Sequence, residues 1–179
     1  MSGRYAEGTA VTPERSMAEV IATLRRYGAD GFNTQIDDAK GEHVIVFRVP
    51  TKDGRGQRFV RLVLRIPDRA AFIRETLANM RQKPQRRTRE QGAADAYEAE
   101  VRRRWRALAL FVKAALEAVQ SEITTLEEVF FAHLLLPDGA TVAQHAAASI
   151  AHAYQHGAMP VAPLLTVGAV DAEIVRGEP

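Results

Sequence analysis

The chain has 179 residues and a mass of 19.7 kDa, with 46% hydrophobic and 26% charged residues and no cysteine. That composition excludes wholesale disorder, a disulfide framework, a thiolate metal site and a cysteine nucleophile. The net charge of +2 conceals a division: residues 1–106 hold 22 Lys and Arg against 14 Asp and Glu, while residues 107–179 hold 2 against 8. A basic front joined to an acidic rear points to a polyanionic partner. The N-terminus lacks the apolar run of a signal peptide, and nowhere do ~18 apolar residues follow one another as a membrane span requires. A cytoplasmic location and no membrane partner are the expectation.

Thr12-Pro13 fits a helix N-cap with proline in the first turn. Met17, Val20, Ile21 and Leu24 then recur at helical spacing until Gly28. Phe32–Ile36 reads as a short strand, His43–Val49 as a strongly β-branched one, and Gln57–Ile66 as a third. The Asp37–Gly41 and Pro50–Gly56 segments supply the turns. Side chains alternate across a strand, so Val60, Leu62, Leu64 and Ile66 share one face and Phe59, Arg61, Val63 and Arg65 the other. With Arg48 from the neighbouring strand, the second face could hold phosphates and stack a base on Phe59. The plainer reading, which the sequence favours, is that long arginines cover a wet sheet face.

Pro67-Asp68 opens another helix with Phe72, Ile73, Leu77 and Met80 as its apolar stripe. Residues 81–92 then carry Arg81, Lys83, Arg86, Arg87 and Arg89 with Pro84 and no apolar anchor. A flexible basic loop is expected there, either a phosphate-binding arm or a solvated linker. From Ala93 to Gln120 runs the longest helix, with Tyr97, Val101, Trp105, Leu108, Val112, Ala115 and Val119 as one seam. Arg102, Arg103 and Arg106 lie round its other sides, where pairing with Glu98 and Glu100 is the favoured role and nucleic-acid contact the bolder one.

Thr124–Glu127 and Thr125–Glu128 both have capping-box spacing, predicting a helix that carries Leu126, Val129, Phe130, His133 and Leu134 inward. Pro137-Asp138-Gly139 ends it, and Thr141 with Gln144 opens an alanine-rich helix to about His156, closed by Gly157. That helix is expected against the long helix or a second copy, followed by an apolar tail over residues 161–179. His145, His152 and His156 share a face, and His152 and His156 are spaced four apart, but Ala153 stands after His152 where a zinc-protease pattern needs glutamate. A surface histidine stripe is the better account, and no metal or cofactor site is assigned. Asp37-Asp38 and Glu127-Glu128 read as turn and first-turn charges rather than a two-carboxylate site. No phosphate loop, nucleophile elbow or kinase signature is present, so the sequence specifies no reaction.

The fold class expected is α+β: a small antiparallel sheet with flanking helices over residues 1–80, the basic loop over 81–92, and a helical unit over 93–160, in one cooperative domain. The segments RYAEGTAV, ERSMAEV, LRRYGADGF, WRALALFVKAALEAV, ITTLEEVFFAHLLLPDGATV and IAHAYQHGAMP together resemble a family of uncharacterised proteins encoded by bacteriophages and prophages. The resemblance implies a bacterial cytoplasm in which DNA is the obvious polyanion, and it carries over no functional residue. Two readings follow. One is a non-enzymatic DNA-associated protein, with single strands as its substrate, using Arg48, Phe59, Arg61, Arg65 and the arginines of residues 81–106. The other is a protein-interaction module, a homo-oligomer or an inhibitor of a host protein.

Overall fold

In the computed structural model, which describes residues 6–37, 40–51, 56–80 and 88–158, the first element is α1, Pro13–Arg26. The Thr12 hydroxyl accepts the Arg15 N–H, and Pro13 occupies a first-turn position that needs no N–H bond. Val20 and Leu24 are buried, as their spacing requires. Three strands follow, β1 (Gly31–Asp37), β2 (Glu42–Pro50) and β3 (Gln57–Arg65), in an antiparallel meander of order β1-β2-β3. Gly41 sits before β2 at φ +61° and accepts the Ile66 N–H; a Cβ there would stand 2.5 Å from the Ile66 carbonyl oxygen. Only glycine combines that dihedral with so close an approach.

The alternation predicted for β3 is observed. Ile45, Phe47, Val60 and Leu62 point to the inner face and are buried, and Leu64 packs half-buried beside them. The helices supply the second layer. α2 (Arg69–Asn79) is capped by Asp68, whose carboxylate accepts the Ala71 N–H, and α3 spans Arg89–Gln120. α3 begins four residues earlier than predicted, because the Thr88 hydroxyl accepts the Gln91 N–H and caps it there. Arg89–Gly92 are therefore helical rather than part of the basic loop.

α3 lays Trp105, Ala109, Val112, Ala115 and Leu116 against the sheet and α1. Of the predicted seam, Trp105, Val112 and Ala115 are buried and Val101 and Leu108 flank the core half-buried. Ala93, Ala109 and Leu116 complete it instead, since the stripe drifts round a helix 32 residues long. α1 is bound to α3 by packing, by an Arg106–Glu19 ion pair, and by the Tyr27 hydroxyl, which donates to Glu117 at 2.6 Å.

The helix predicted after Thr125 is short. The Thr125–Glu128 capping box forms, but α4 covers only Leu126–Val129. Phe130 then turns fully into the core, edge-on to Phe47 and Phe111 at 5.6 and 6.1 Å. A single 3-10 turn, Phe131–His133, carries the chain away so that Leu134 can bridge Val60 on the outer edge of β3. Tertiary pairing has overridden helix propensity here. Leu135 bridges Thr141 across the Pro137-Asp138-Gly139 turn, and the Thr141–Gln144 capping box starts α5, Val142–His156, closed by Gly157 at φ +65°. α5 rests mainly on the 3-10 turn rather than on α3, and Val142 alone of its residues is buried. The architecture is α+β, a small three-stranded sheet flanked by helices with a helical C-terminal segment. Among the described residues no helix is long and apolar enough to cross a membrane. The tail over residues 161–179 lies outside the described residues.

Candidate nucleic-acid interface

Strand pairing fixes which side chains meet on the outer face of the sheet. Across β2 and β3, Arg48 stands opposite Phe59, Val46 opposite Arg61, Val44 opposite Val63 and Glu42 opposite Arg65. β1 continues these rows with Asn33 beside Val46 and Gln35 beside Val44. The result is a floor of valines and one aromatic ring, bordered by amides on one side and guanidiniums on the other. Phe59 is 42% exposed. It forms one wall of an open hollow of about 230 Å³ that Asn33, Val46 and Arg48 also line.

The guanidiniums of this face are not equally free. Arg48 Nε donates to Asp30 at 2.8 Å, and Arg65 Nε donates to Glu42 at 3.2 Å. Arg61 has no carboxylate partner among the described residues. With Val63 and Arg65 it lines a hollow of about 380 Å³ that His133 and Gln144 close from the α5 side.

At the far end of β3 the sheet meets α3. Val63 and Arg65 share a hollow of about 460 Å³ with Arg103, Arg104 and Phe111. Arg103 donates from Nε and Nη2 to the two oxygens of Glu100 at 2.7 Å each, and Arg104 Nε donates at 2.8 Å. Glu100 is nearly buried, yet its carboxyl is pulled down to about 2, chiefly by the Arg103 hydrogen bonds and against the opposing effect of burial. Arg103 is correspondingly raised, again first by its bond to Glu100. Arg104 also donates from Nη1 to the Arg65 carbonyl and so closes the end of the β3 edge.

Of the residues singled out in the sequence, Arg48, Phe59, Arg61 and Arg65 share the outer face, and Arg103 joins them at the end of β3. Others are engaged elsewhere. Arg106 pairs with Glu19 on α1, and Arg89 donates to the Leu77 and Met80 carbonyls, satisfying the C-terminal end of α2. Arg102 has no ion-pair partner among the described residues. Arg81, Lys83, Arg86 and Arg87 lie outside the described residues. Of the pairing expected between Arg102, Arg103 and Arg106 and Glu98 or Glu100, Arg103–Glu100 is present, and Arg104 joins the same carboxylate.

Sequence reasoning missed Asn33 and Gln35, and it counted Arg104 among the arginines of residues 81–106 without its Glu100 partner. That pair was readable from its spacing of four, and the two amides from the period-two pattern of β1. Phe111 carried no such signal, since it lies on the rim of a helix face whose drift only packing reveals.

Elsewhere, His145 pairs with Asp138 at 2.6 Å, and the Asp138 carboxyl is lowered, first by the Ala140 N–H and then by His145. The His152 and His156 rings stack at 4.2 Å. Among the described residues no group of three or more His, Cys, Asp or Glu is placed to hold a metal ion. The outer face brings together an exposed ring, amides and guanidiniums. In comparisons with known proteins no family model matches the chain, and no curated protein or solved structure matches it.

Proposed function

We propose that the protein is a non-enzymatic, phage- or prophage-type nucleic-acid-associated protein of the bacterial cytoplasm that takes single-stranded DNA on the outer face of its sheet. The observation that carries this reading is Phe59. A ring 42% exposed on an antiparallel sheet, with Arg48 directly across and Arg61 two positions along, has the chemistry of a base-stacking platform beside a phosphate contact. Among the described residues Arg61 has no carboxylate to lose on binding. Arg48 and Arg65 would exchange exposed ion pairs, which cost little to open. The asymmetry of charge along the chain and the sequence resemblance support the same setting. Anisotropy titrations of labelled single- and double-stranded DNA at two salt concentrations test it; absence of binding at low salt removes the reading.

A second reading, a protein-interaction module, is favoured by α5. This helix carries no Asp, Glu, Lys or Arg, and it leaves Ile150 47% and Tyr154 89% exposed. An isolated helix of this length is marginal in water, so a partner surface would stabilise it. Light scattering on the full chain and on an Ile150→Glu/Tyr154→Glu variant tests this. Assembly indifferent to both substitutions removes α5 as an interface.

A further inference from the structure

The two edges of the sheet are treated differently. The edge of β3 is covered in part: Leu134 bridges Val60, the Leu135 N–H donates to the Phe59 carbonyl at 2.8 Å, and Arg104 donates to the Arg65 carbonyl. The edge of β1 is open. No other described segment pairs with it, and Asn33, Thr34, Gln35 and Ile36 are exposed, the helices covering only Phe32, which packs on the core under Arg25 of α1. Ile36 is 58% exposed although it lies on the inner, apolar face. The usual protections of an edge, a lysine, a proline or an inward-pointing charge, are missing from Phe32–Ile36.

We infer that β1 pairs antiparallel with β1 of a second copy of this chain, making a two-fold dimer with one six-stranded sheet. The occupant follows from the strand's own sequence. A two-fold axis at Thr34 sets Thr34 against Thr34, Asn33 against Gln35, Phe32 against Ile36 and Gly31 against Asp37 of the second copy. On the inner face this register places the exposed Ile36 against Phe32, one apolar side chain covering another. On the outer face it places amide against amide. No like charges meet, because Asp37 is held by Lys40 at 3.1 Å and faces glycine. A register offset by one residue would put the helix layers on opposite sides of the joined sheet and set inner-face residues beside outer-face ones. The Thr34 register keeps both helix layers on one side and makes the two outer faces continuous. Such isologous pairing also closes the assembly at two copies, since each chain uses its β1 edge on the other. The inference stands on β1 alone. In combination with the proposed function it would double the platform, setting two Phe59–Arg61 surfaces side by side.

The register gives a charge-swap test. In Asn33→Lys/Gln35→Lys, lysines oppose lysines twice across the axis; in Asn33→Lys/Gln35→Glu, each lysine opposes a glutamate. All these positions are exposed in the single chain, so neither variant should lose its fold, which circular dichroism checks. Sedimentation equilibrium is expected to show a dimer for the unmodified chain, at least a tenfold weaker dimer for the first variant and restored dimer for the second. Because the chain has no cysteine, Thr34→Cys is expected to give a disulfide-linked dimer on mild oxidation, whereas Gln155→Cys on α5 should not. A monomer at all concentrations, or a dimer that ignores the swap, overturns the inference. A dimer that obeys it and binds no DNA leaves the inference standing and removes the proposed function.

Discussion

Arg48 faces Phe59 across the β2–β3 ladder, a guanidinium set beside a half-exposed ring on the solvent side of the sheet. Because the ring contributes little to the core, its removal separates binding from folding. Phe59→Ala is expected to weaken single-strand binding by about tenfold, the scale of one lost stacking contact of ~1–3 kcal/mol. Phe59→Trp should retain it. Arg61→Gln should lower the slope of log affinity against log salt by about 0.7, as expected for one phosphate contact on a single strand. Anisotropy over a salt series measures both, and melting temperatures should stay close to that of the parent chain.

Glu100 makes stability depend on pH in a defined direction. Its folded carboxyl titrates at about 2, against 4.5 when unperturbed, so the charged form is the one the fold favours. That contribution is complete above about pH 4.5, declines as the pH falls from there, and is gone below about 2. Glu100→Gln should therefore lose about 3 kcal/mol near pH 7, with the gap to the parent chain narrowing through that acidic window. Urea denaturation of both chains near neutrality and near pH 3 measures it. A gap that stays constant would mean the mutation acts by packing alone.

Phe130 is fully buried between two other phenylalanines and is also the point where the chain leaves α4. Phe130→Ala should cost about 3–5 kcal/mol from the cavity and the lost contacts. It should also loosen the Leu134–Val60 bridge, because Phe130 anchors the turn that delivers Leu134. Hydrogen exchange at the Leu135 amide, which donates to Phe59, would then quicken more than exchange within β2.

Two glycines with positive φ separate backbone strain from steric conflict. At Gly139, φ +81°, an added Cβ meets nothing within 4 Å. Gly139→Ala should cost only the left-handed backbone penalty, about 1–2 kcal/mol. Gly41→Ala adds a collision with the Ile66 carbonyl and should cost visibly more, with loss of the Ile66–Gly41 bond. Thermal melts of the two variants side by side give the difference.

Elements governed by local rules were legible from the chain. Thr12, Thr125 and Thr141 cap the helices that their spacing announced, and the alternation in β3 placed Phe59, Arg61 and Arg65 together on the outer face. What escaped was decided at a distance. The helix after Thr125 stops after one turn because Phe130 and Leu134 have destinations on the sheet, and no propensity in that stretch records them. In the same way, the sequence lists arginines but not their counter-ions. Arg106 is committed to a glutamate 87 positions away, so the expected common groove is narrower than the arginine count implied.

The chain contains one tryptophan, Trp105, 4% exposed at the middle of α3 and edge-on to His43 of β2 at 5.5 Å. Indole emission from this protein consequently has a single source, placed where the long helix seats on the strands, and it reports whether that seating is intact. Phe59 and the outer face are spectroscopically silent at the same wavelengths. Unfolding can thus be followed optically in the presence of a ligand without the two signals mixing.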